Sequence, residues 1–385
     1  MSDVAKSLRD CDTPAVVLDR GVVERNCRAM AERAARLGVK LRPHLKTAKS
    51  ADVARLATAG QFGGITVSTL AEARYFAREG FRDITYAVGI TQAKIGPLAV
   101  LQAELAVRVT LVADNAAAIV SVARWAHHLN QPFAMLLEID SGGGRGGVAP
   151  EAPELIELAR LIEAQDALRF QGVLTHAGHS YHCADADGIR AVAEQERRAA
   201  VTAALRLREA GLPCPVVSVG STPTAVFADS LAGVTEMRPG VYTLFDLDQV
   251  ARGVCALRDV AISVLATVIG HNPRSRRLLI DAGALALSKD QSAAEFRDDI
   301  GFGLVCPPDG GAPFAGLHVV ELHQEHGFIA AAGNIGEWFA RLPVGSRVRI
   351  LPNHACMTAA PYERFLVVDG RGLEVVAEWA KVTGW

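Results

Sequence analysis

The stretch Lys40-Leu41-Arg42-Pro43-His44-Leu45-Lys46-Thr47 gives the first indication of how this chain folds. Its first four residues follow an amphipathic helical pattern at residues 23–37 and predict a short β-strand. Lys46 comes just after the C-terminal end of that strand, the edge where reactive side chains collect in alternating β/α folds. Burial there would lower the pKa of the amine and make it a nucleophile. Taken alone, Lys46 and Lys49 are better explained as solvated lysines at the start of a helix, but the rest of the chain argues against that explanation.

Short β-branched runs alternate with longer helical patterns through the first two-thirds of the chain. Eight strands are predicted, at residues 39–42, 64–67, 84–88, 108–112, 134–139, 171–175, 215–219 and 234–237. Most of them precede a helical pattern, such as those at residues 68–79, 114–129, 153–164, 185–210 and 223–230. Eight alternating strands are the count of a (β/α)8 barrel. A doubly wound open sheet is the structural alternative, but no GxGxxG motif follows the first strand.

The pattern changes at about Cys255, after which strands separated by Gly, Pro and Asn turns dominate. Strands are predicted at residues 259–269, 275–282, 317–322 and 346–351. We therefore predict an α/β protein with a barrel over residues 19–250 and a C-terminal β domain over residues 251–385. Residues 1–18, which include an apolar segment at 13–18, are expected to pair with the β domain.

Composition limits the classes of partner. Forty basic and 42 acidic residues give a net charge of -2, and no basic patch favours nucleic acid. The sequence has neither the apolar core of a signal peptide nor an apolar run that could cross a bilayer. Seven scattered cysteines without CxxC spacing fit free thiols in a reducing compartment. We expect a soluble, cytoplasmic enzyme.

Two predicted strand ends carry candidate binding residues. The fifth is followed by the glycine-rich run Asp140–Gly147, in which Arg145 supplies a fixed positive charge. A flexible loop with a solvated arginine explains that run equally well. The sixth is followed by His176 within a segment rich in histidine, for which a stacking or hydrogen-bonding role is favoured over metal binding.

The next strand ends predict a phosphate site. Gly220, Ser221 and Thr222 precede a helix that Pro223 can begin, so that amides, hydroxyls and the positive end of the helix come together. An ordinary helix N-cap explains these residues about as well. The amides in the run Arg238–Tyr242 would complete the site. A phosphate site opposite a buried lysine suggests pyridoxal phosphate (PLP) held as a Schiff base.

In the predicted β domain, His354 and Cys356 follow a strand at an i, i+2 spacing. In extended chain this spacing projects both side chains to the same side, and imidazole with thiolate is a good pair for zinc. From the spacing alone, a buried cysteine beside a surface histidine is the favoured explanation.

Taken together, these segments resemble the family of PLP-dependent D-serine dehydratases of the eukaryotic type, which also includes D-threo-3-hydroxyaspartate dehydratases and D-threonine aldolases. The resemblance runs nearly end to end and implies the alanine racemase fold, with a PLP-binding barrel and a β domain. The matching blocks are Arg42–Thr47, Ile65–Ala73, Thr175–Gly178, Ser218–Thr224, Gln324–Gly327 and Pro352–Cys356. One departure is Ala48, because many relatives have a histidine at this position.

The resemblance also implies roles for individual residues. Lys46 is expected to carry the cofactor and to act as the base at Cα. Arg145 is expected near the phenolic oxygen of the cofactor, His176 beside its ring and Arg238 on its pyridine nitrogen. The expected phosphate ligands are Gly220, Ser221, Thr222, Gly240 and Val241. Tyr181 resembles an active-site tyrosine, and His354 with Cys356 resembles the metal ligands of the dehydratases.

The implied activity is a PLP- and divalent-metal-dependent lyase that converts a D-3-hydroxy amino acid to a 2-keto acid and ammonia. The metal would be Zn, Mn or Mg. The alternative is retro-aldol cleavage of the D-threonine aldolase type, for which an aspartate often replaces the cysteine. A racemase would need a second base and no metal, and a non-catalytic PLP carrier is usually a lone barrel. We expect a homodimer that acts on a small molecule.

Overall fold

The computed structural model describes residues 7–385. Within them lie seventeen strands: β1 Ala15–Asp19, β2 Lys40–Leu41, β3 Gly64–Val67, β4 Asp83–Gly89, β5 Arg108–Ala113, β6 Phe133–Ile139, β7 Leu168–Thr175, β8 Val216–Val219, β9 Glu236–Met237, β10 Ile262–Asn272, β11 Arg277–Ile280, β12 Gly303–Cys306, β13 Leu317–Leu322, β14 Gly327–Ala331, β15 Arg347–Pro352, β16 Arg364–Val368 and β17 Ala377–Ala380. The helices of the described residues are α1 Arg20–Arg36, α2 Ala51–Thr58, α3 Leu70–Arg78, α4 Gln92–Leu105, α5 Ala116–His128, α6 Glu154–Glu163, α7 Ala186–Glu209, α8 Thr222–Phe227, α9 Leu247–Ala251, α10 Ala284–Leu287, α11 Ile335–Arg341 and α12 Ala355–Ala359.

The chain divides into two compact units. The barrel unit comprises residues 28–46, 57–240 and 384–385, and the β unit comprises residues 47–56 and 241–383 together with the chain up to residue 27. The predicted domain limits of 19–250 and 251–385 stay a prediction.

The barrel unit contains eight parallel strands in the order β2-β9-β8-β7-β6-β5-β4-β3. The two outer strands of that order meet beyond the end of β2, where the amide of Leu45 donates to Thr66 O at 2.9 Å. The amide of Thr66 in turn donates to Pro43 O at 2.9 Å, so that the barrel is nearly closed. Helices α3 to α7 cross between successive strands with their apolar sides buried, which is the packing of a (β/α)8 barrel.

A buried ion-pair network fixes the strands on either side of this closure. Arg42, directly after β2, donates to Glu236 on β9 at 2.9 Å and to Asp83 on β4 at 2.9 Å. Arg42 and Glu236 are almost fully buried, so each charge depends on its partners. The strand that precedes Lys46 is therefore held in register by charge as well as by its short backbone ladder.

The β unit is built on a nine-stranded sheet in the order β11-β14-β13-β12-β15-β10-β1-β16-β17. Strand β10 also pairs with β11, so that six of these strands form a closed ring. The ring encloses an aliphatic core that includes Val264, Val268, Leu278, Ile329 and Ile350. Outside it, β1 pairs antiparallel with β10 and parallel with β16.

Most of the sequence predictions of the fold are confirmed. All eight predicted barrel strands are present, with ends that differ by at most three residues, and segment 13–18 pairs with the β unit as expected. Residues 1–6 lie outside the described part of the chain, so that part of the pairing prediction is not addressed. The sequence did not predict β12, β14, β16 and β17. From residue 7 onward, no helix is both long and apolar enough to span a membrane.

Candidate active site

Lys46 lies in a turn that follows the end of β2. The backbone before it is anchored because His44 N donates to Pro239 O at 2.9 Å, which ties this turn to the segment after β9. The amide of Lys46 lies 3.4 Å from His44 Nδ1. The side chain of Lys46 is exposed, so the expectation of a buried lysine is wrong for this structure. Its position at the C-terminal edge of the strand is as predicted, and its amine is accessible to a ligand.

Arg145 and His176 share one cavity of about 170 Å³, which is also lined by Glu138, Asp140 and His179. Arg145 Nη2 lies 3.3 Å from Glu138 Oε1, and the arginine side chain is 63% exposed. The structure therefore brings together two residues that sequence reasoning placed at different strand ends.

His176 is held as a neutral imidazole. Burial lowers its pKa to about 3, although its hydrogen bond with Gly220 O, at 2.6 Å to Nδ1, acts in the opposite direction. The positive charges of Lys46, Arg145 and Arg238 lower the pKa further. The charges of Lys46, Arg145 and Arg238 therefore all reach His176.

Arg238 is buried and directed into the barrel. Its guanidinium donates to Ser218 Oγ and to the carbonyl oxygen of Thr175, and burial lowers its pKa to about 10. Ser218 Oγ also donates to Glu236 Oε1 at 2.6 Å. Arg238 thus joins the same polar network as Arg42, and remains a cation at neutral pH.

The phosphate turn, defined as Gly220–Thr222, is densely hydrogen-bonded within the chain. Ser221 is the N-cap of α8 in a capping box: its hydroxyl accepts from Thr224 N at 3.2 Å, and Thr224 Oγ1 accepts from Ser221 N at 3.1 Å. The amide of Gly220 donates to Glu196 Oε1 at 3.0 Å. In this arrangement the amides of Gly220 and Ser221 already have partners, so the role of these two residues in holding a phosphate stays a prediction.

The remaining predicted cofactor residues lie in short helices or turns. Thr222 is buried in the first turn of α8, and Gly240 packs so closely that a Cβ there would lie 2.6 Å from His44 O. Tyr181 is half-buried in the 3-10 helix Gly178–His182. In the β unit, Val241 is buried and opens the 3-10 helix Val241–Thr243.

His354 and Cys356, called here the metal pair, lie at the start of α12 in the β unit. Burial lowers the pKa of His354, but hydrogen bonds with Asp290 and Cys356 and the charge of Cys356 outweigh it and raise the pKa to about 11. Because Cys356 acts on the pKa of His354, the two side chains lie near one another. The extended chain assumed in the sequence argument is not present, since Cys356 lies in the first turn of α12, and metal binding by the pair stays a prediction.

Two partners of the metal pair were not found from the sequence. Asp290 Oδ2 lies 2.7 Å from His354 Nδ1, and Thr47 Oγ1 lies 3.0 Å from Cys356 Sγ. A carboxylate on one ring nitrogen fixes the tautomer that presents the other nitrogen to a metal. Sequence reasoning had no signal for Asp290, because 64 residues separate it from His354.

The residues present fit both implied cofactors. For PLP, the barrel unit offers a cavity lined by Arg145 and a neutral His176, together with the accessible amine of Lys46 and the buried cation of Arg238. For a divalent metal, imidazole and thiolate are donors of the kind that zinc prefers. No cluster of three or more His, Cys, Asp or Glu side chains suited to a metal occurs among residues 7–385. The metal pair can therefore supply two ligands and leave positions for water or substrate.

Comparison with known families gives matches to both halves of the chain. The alanine racemase N-terminal domain matches residues 18–248, and the serine dehydratase domain matches residues 261–368. D-threo-3-hydroxyaspartate dehydratase of Delftia sp. is 43% identical over 98% of this chain and 99% of its own length. D-serine dehydratase of Dictyostelium discoideum is 33% identical over 96% of each chain. D-threonine aldolase of Arthrobacter sp. is 30% identical over 93% of this chain and 90% of its own.

Solved structures agree with these matches. A metal-free cysteine-to-alanine variant of D-threo-3-hydroxyaspartate dehydratase superposes with a TM-score of 0.94, at 42% identity, over 99% of this chain and 100% of its own. Alanine racemase of Clostridium difficile has a TM-score of 0.67 at 15% identity over 95% of this chain and 98% of its own, a likeness in fold alone. The chain thus belongs to the alanine racemase-fold family of PLP- and metal-dependent lyases that includes the D-threo-3-hydroxyaspartate and D-serine dehydratases.

Proposed function

We propose that this chain removes water from a D-3-hydroxy amino acid, with D-threo-3-hydroxyaspartate as the first candidate substrate and D-serine as the second. Subsequent hydrolysis returns one water, so that the net products are a 2-keto acid and ammonia. The observation that carries the proposal is the placement of His354 and Cys356 together at the start of α12, with Asp290 Oδ2 2.7 Å from His354 Nδ1. Departure of a hydroxyl group needs charge stabilisation that an imidazole–thiolate metal site can provide. The 43% identical relative supports the choice of substrate.

PLP, when bound, acts as an electron sink that makes the α-proton of an amino acid acidic. Lys46 would hold the cofactor, and its amine, when free, would take the α-proton on the face where that amine lies. A single base on one face would accept only one enantiomer, and the names of the relatives favour the D-isomer. Arg145 and the neutral His176 would orient the cofactor, and Arg238 would supply a cation to its pyridine ring.

His354 and Cys356 hold the metal, whose Lewis acidity would assist loss of the 3-hydroxyl group. Asp290 keeps His354 in the tautomer that binds through Nε2, because Nδ1 is engaged by the carboxylate at 2.7 Å. Thr47 Oγ1, at 3.0 Å from Cys356 Sγ, can donate to the thiolate and stabilise its charge.

Retro-aldol cleavage is the second candidate, because a D-threonine aldolase is 30% identical over 93% of this chain. It would use the same base and metal but break the Cα–Cβ bond and give glycine and an aldehyde. The physical chemistry of the metal pair serves either reaction.

A product assay separates the two reactions. Purified protein with PLP and zinc or manganese is given D-threo-3-hydroxyaspartate, D-serine, D-threonine and their L-isomers, and ammonia and aldehyde are scored separately. We expect ammonia and keto acid from at least one of the first two, with the L-isomers inert. Stoichiometric glycine and acetaldehyde from D-threonine, without ammonia, would establish the aldolase reaction instead.

We further propose that the protein is a cytoplasmic homodimer. All seven cysteines are free thiols, which supports a reducing compartment. Light scattering on the eluted holoenzyme would measure the subunit count, and a mass equal to one chain would contradict the dimer.

A further inference from the structure

Helix α7 contains a charged residue where its pattern calls for an apolar one. The buried side of this 24-residue helix consists of alanines, Ile189 and Leu207, except for Glu196, which is 1% exposed. A carboxylate in such a position loses its hydration, and burial raises its pKa. A sequence that keeps it there must satisfy it with hydrogen bonds from the protein.

Three donors meet this carboxylate, and they come from two strand ends. Glu196 Oε1 accepts from the amide of Ala177 at 2.9 Å and from the amide of Gly220 at 3.0 Å. Oε2 accepts from Thr224 Oγ1 at 2.8 Å. Ala177 directly follows His176 after β7, and Gly220 opens the phosphate turn after β8.

The third hydrogen bond also sets the direction of a hydroxyl group. Thr224 Oγ1 donates to Glu196 and accepts from the amide of Ser221 at 3.1 Å. A carboxylate has no proton to give when ionised, so it forces the hydroxyl to donate and leaves its lone pair for the Ser221 amide. The orientation of the turn thus depends on an acceptor at position 196.

The backbone conformation of Gly220 explains why hydrogen bonds from other residues must stabilise it. Gly220 has φ of +145°, and a Cβ there would lie 2.6 Å from Arg238 N. Only glycine fits, and glycine by itself is conformationally permissive. Its amide is held by Glu196, and its carbonyl is held by His176 Nδ1 at 2.6 Å.

We propose that Glu196 is a positioning residue. It holds the segment of His176 and Ala177 and the phosphate turn in one conformation that suits the cofactor. It does so without contacting the cofactor, through the amides of Ala177 and Gly220 and the hydroxyl of Thr224. The proposal rests on PLP use by this chain, but not on which substrate is taken or which bond breaks.

The test measures the dissociation constant of PLP by equilibrium dialysis of the holoenzyme, and the ³¹P NMR shift of the bound phosphate. Glu196→Leu leaves two buried amides without an acceptor, so we expect PLP to bind about tenfold or more weakly and the ³¹P signal to move. Glu196→Gln keeps an acceptor oxygen for both amides but presents an NH₂ donor to Thr224 in place of Oε2, so its PLP affinity should lie between those of the parent and Glu196→Leu.

The matched control is Leu207→Ala on the same buried side of α7, which creates a cavity without touching either loop. It should lower the melting temperature and leave PLP affinity unchanged. Should Leu207→Ala weaken PLP binding as much as Glu196→Leu, or should Glu196→Leu bind PLP as the parent does, the proposal is overturned.

If Glu196→Leu does not fold, Thr224→Val takes its place. This variant deletes the third hydrogen bond together with the one from the Ser221 amide to Thr224 Oγ1. We expect a weakening of about threefold or more with a moved ³¹P signal. Parent-like affinity in Thr224→Val would then overturn the proposal. The product assay on D-3-hydroxy acids is independent of these readouts, so a wrong substrate assignment would not be mistaken for a wrong role of Glu196.

Discussion

The phosphate turn and the metal pair differ in how far the chain itself satisfies their polar atoms. In the phosphate turn, Ser221 and Thr222 are buried, and amides and hydroxyls are bonded within the turn or to Glu196. In the metal pair, the side chain of His354 is 35% exposed and Cys356 is half-buried. The first site is preorganised by hydrogen bonds, whereas the second presents donor atoms that a cation would complete. We therefore expect substitutions to affect cofactor retention in the barrel unit and metal retention in the β unit.

The largest effect is expected at Lys46, which would carry the cofactor in the barrel unit. Lys46→Ala removes both the covalent link and the base, so turnover should fall by about 10³-fold or more. Lys46→Arg keeps the charge and should be equally inactive. Borohydride reduction of the parent followed by peptide mass spectrometry should locate the pyridoxyl group on Lys46; a label on Lys49 would show that the assignment is wrong.

Substitution of Cys356 tests whether metal binding can be lost without loss of PLP. Cys356→Ala removes the thiolate, so turnover should fall by about 10²-fold or more, while the visible absorbance of bound PLP and the melting temperature stay near those of the parent. Chelator treatment of the parent should have the same effect, and zinc or manganese should reverse it.

A suitable control is Cys255→Ala, since Cys255 is a half-buried free thiol of the same unit. This variant should keep full activity. Undiminished turnover in Cys356→Ala would remove the metal pair from the reaction.

The contrast between these sites also shows what a sequence can reveal. The barrel strands were predictable because most are short β-branched runs before a helical pattern, and Lys46 was singled out because it follows one of these strands. Strand β12 was missed because it is only four residues long and lies in a segment rich in glycine and proline. Short strands of this kind are specified by their partners in the sheet rather than by local pattern.

Residues that act through other residues were the hardest to find from the sequence. Asp290 contacts His354 across 64 positions, and no local motif marks it. Glu196 did leave a signal, because it interrupts the 3- and 4-residue spacing of Ile189, Ala193 and Ala200 on α7. A lone acidic residue on the buried side of a predicted helix therefore indicates that backbone amides or hydroxyls donate to it.

The expected burial of Lys46 was wrong because strand-end position alone does not determine how the surrounding loops cover a side chain.

Asp290 should produce an intermediate effect, confined to the β unit. Asp290→Asn keeps the size of the side chain but loses the charge that orients His354, so metal affinity should fall about 10- to 100-fold. Competition with a fluorescent chelator measures that affinity directly, and excess metal should restore turnover.

The control for Asp290 is Asp299→Asn, at an exposed carboxylate that pairs with Arg297 at 2.6 Å. Its metal affinity should equal that of the parent. If Asp290→Asn also binds metal as the parent does, the carboxylate does not orient His354.

The last prediction concerns stability rather than turnover, at Asp246. This buried carboxylate accepts from the amides of Gln249 at 3.0 Å and Ala355 at 2.8 Å. Burial raises the pKa of Asp246 to about 7, partly offset by the charge of His354. Between pH 3.8 and about 7 the unfolded chain has lost this proton while the folded chain keeps it. The free energy of unfolding therefore falls as pH rises through this window, by about 1.4 kcal/mol per pH unit. Asp246→Asn cannot titrate, so its free energy of unfolding in urea, measured without metal from pH 4 to 8, should lack this decline. The variant loses one hydrogen bond at every pH.

The control is Asp187→Asn, at a side chain that is 90% exposed, which should keep the pH slope of the parent. Parallel pH profiles for the parent and Asp246→Asn would mean that Asp246 is already ionised at low pH, with the two amides and His354 together outweighing its burial.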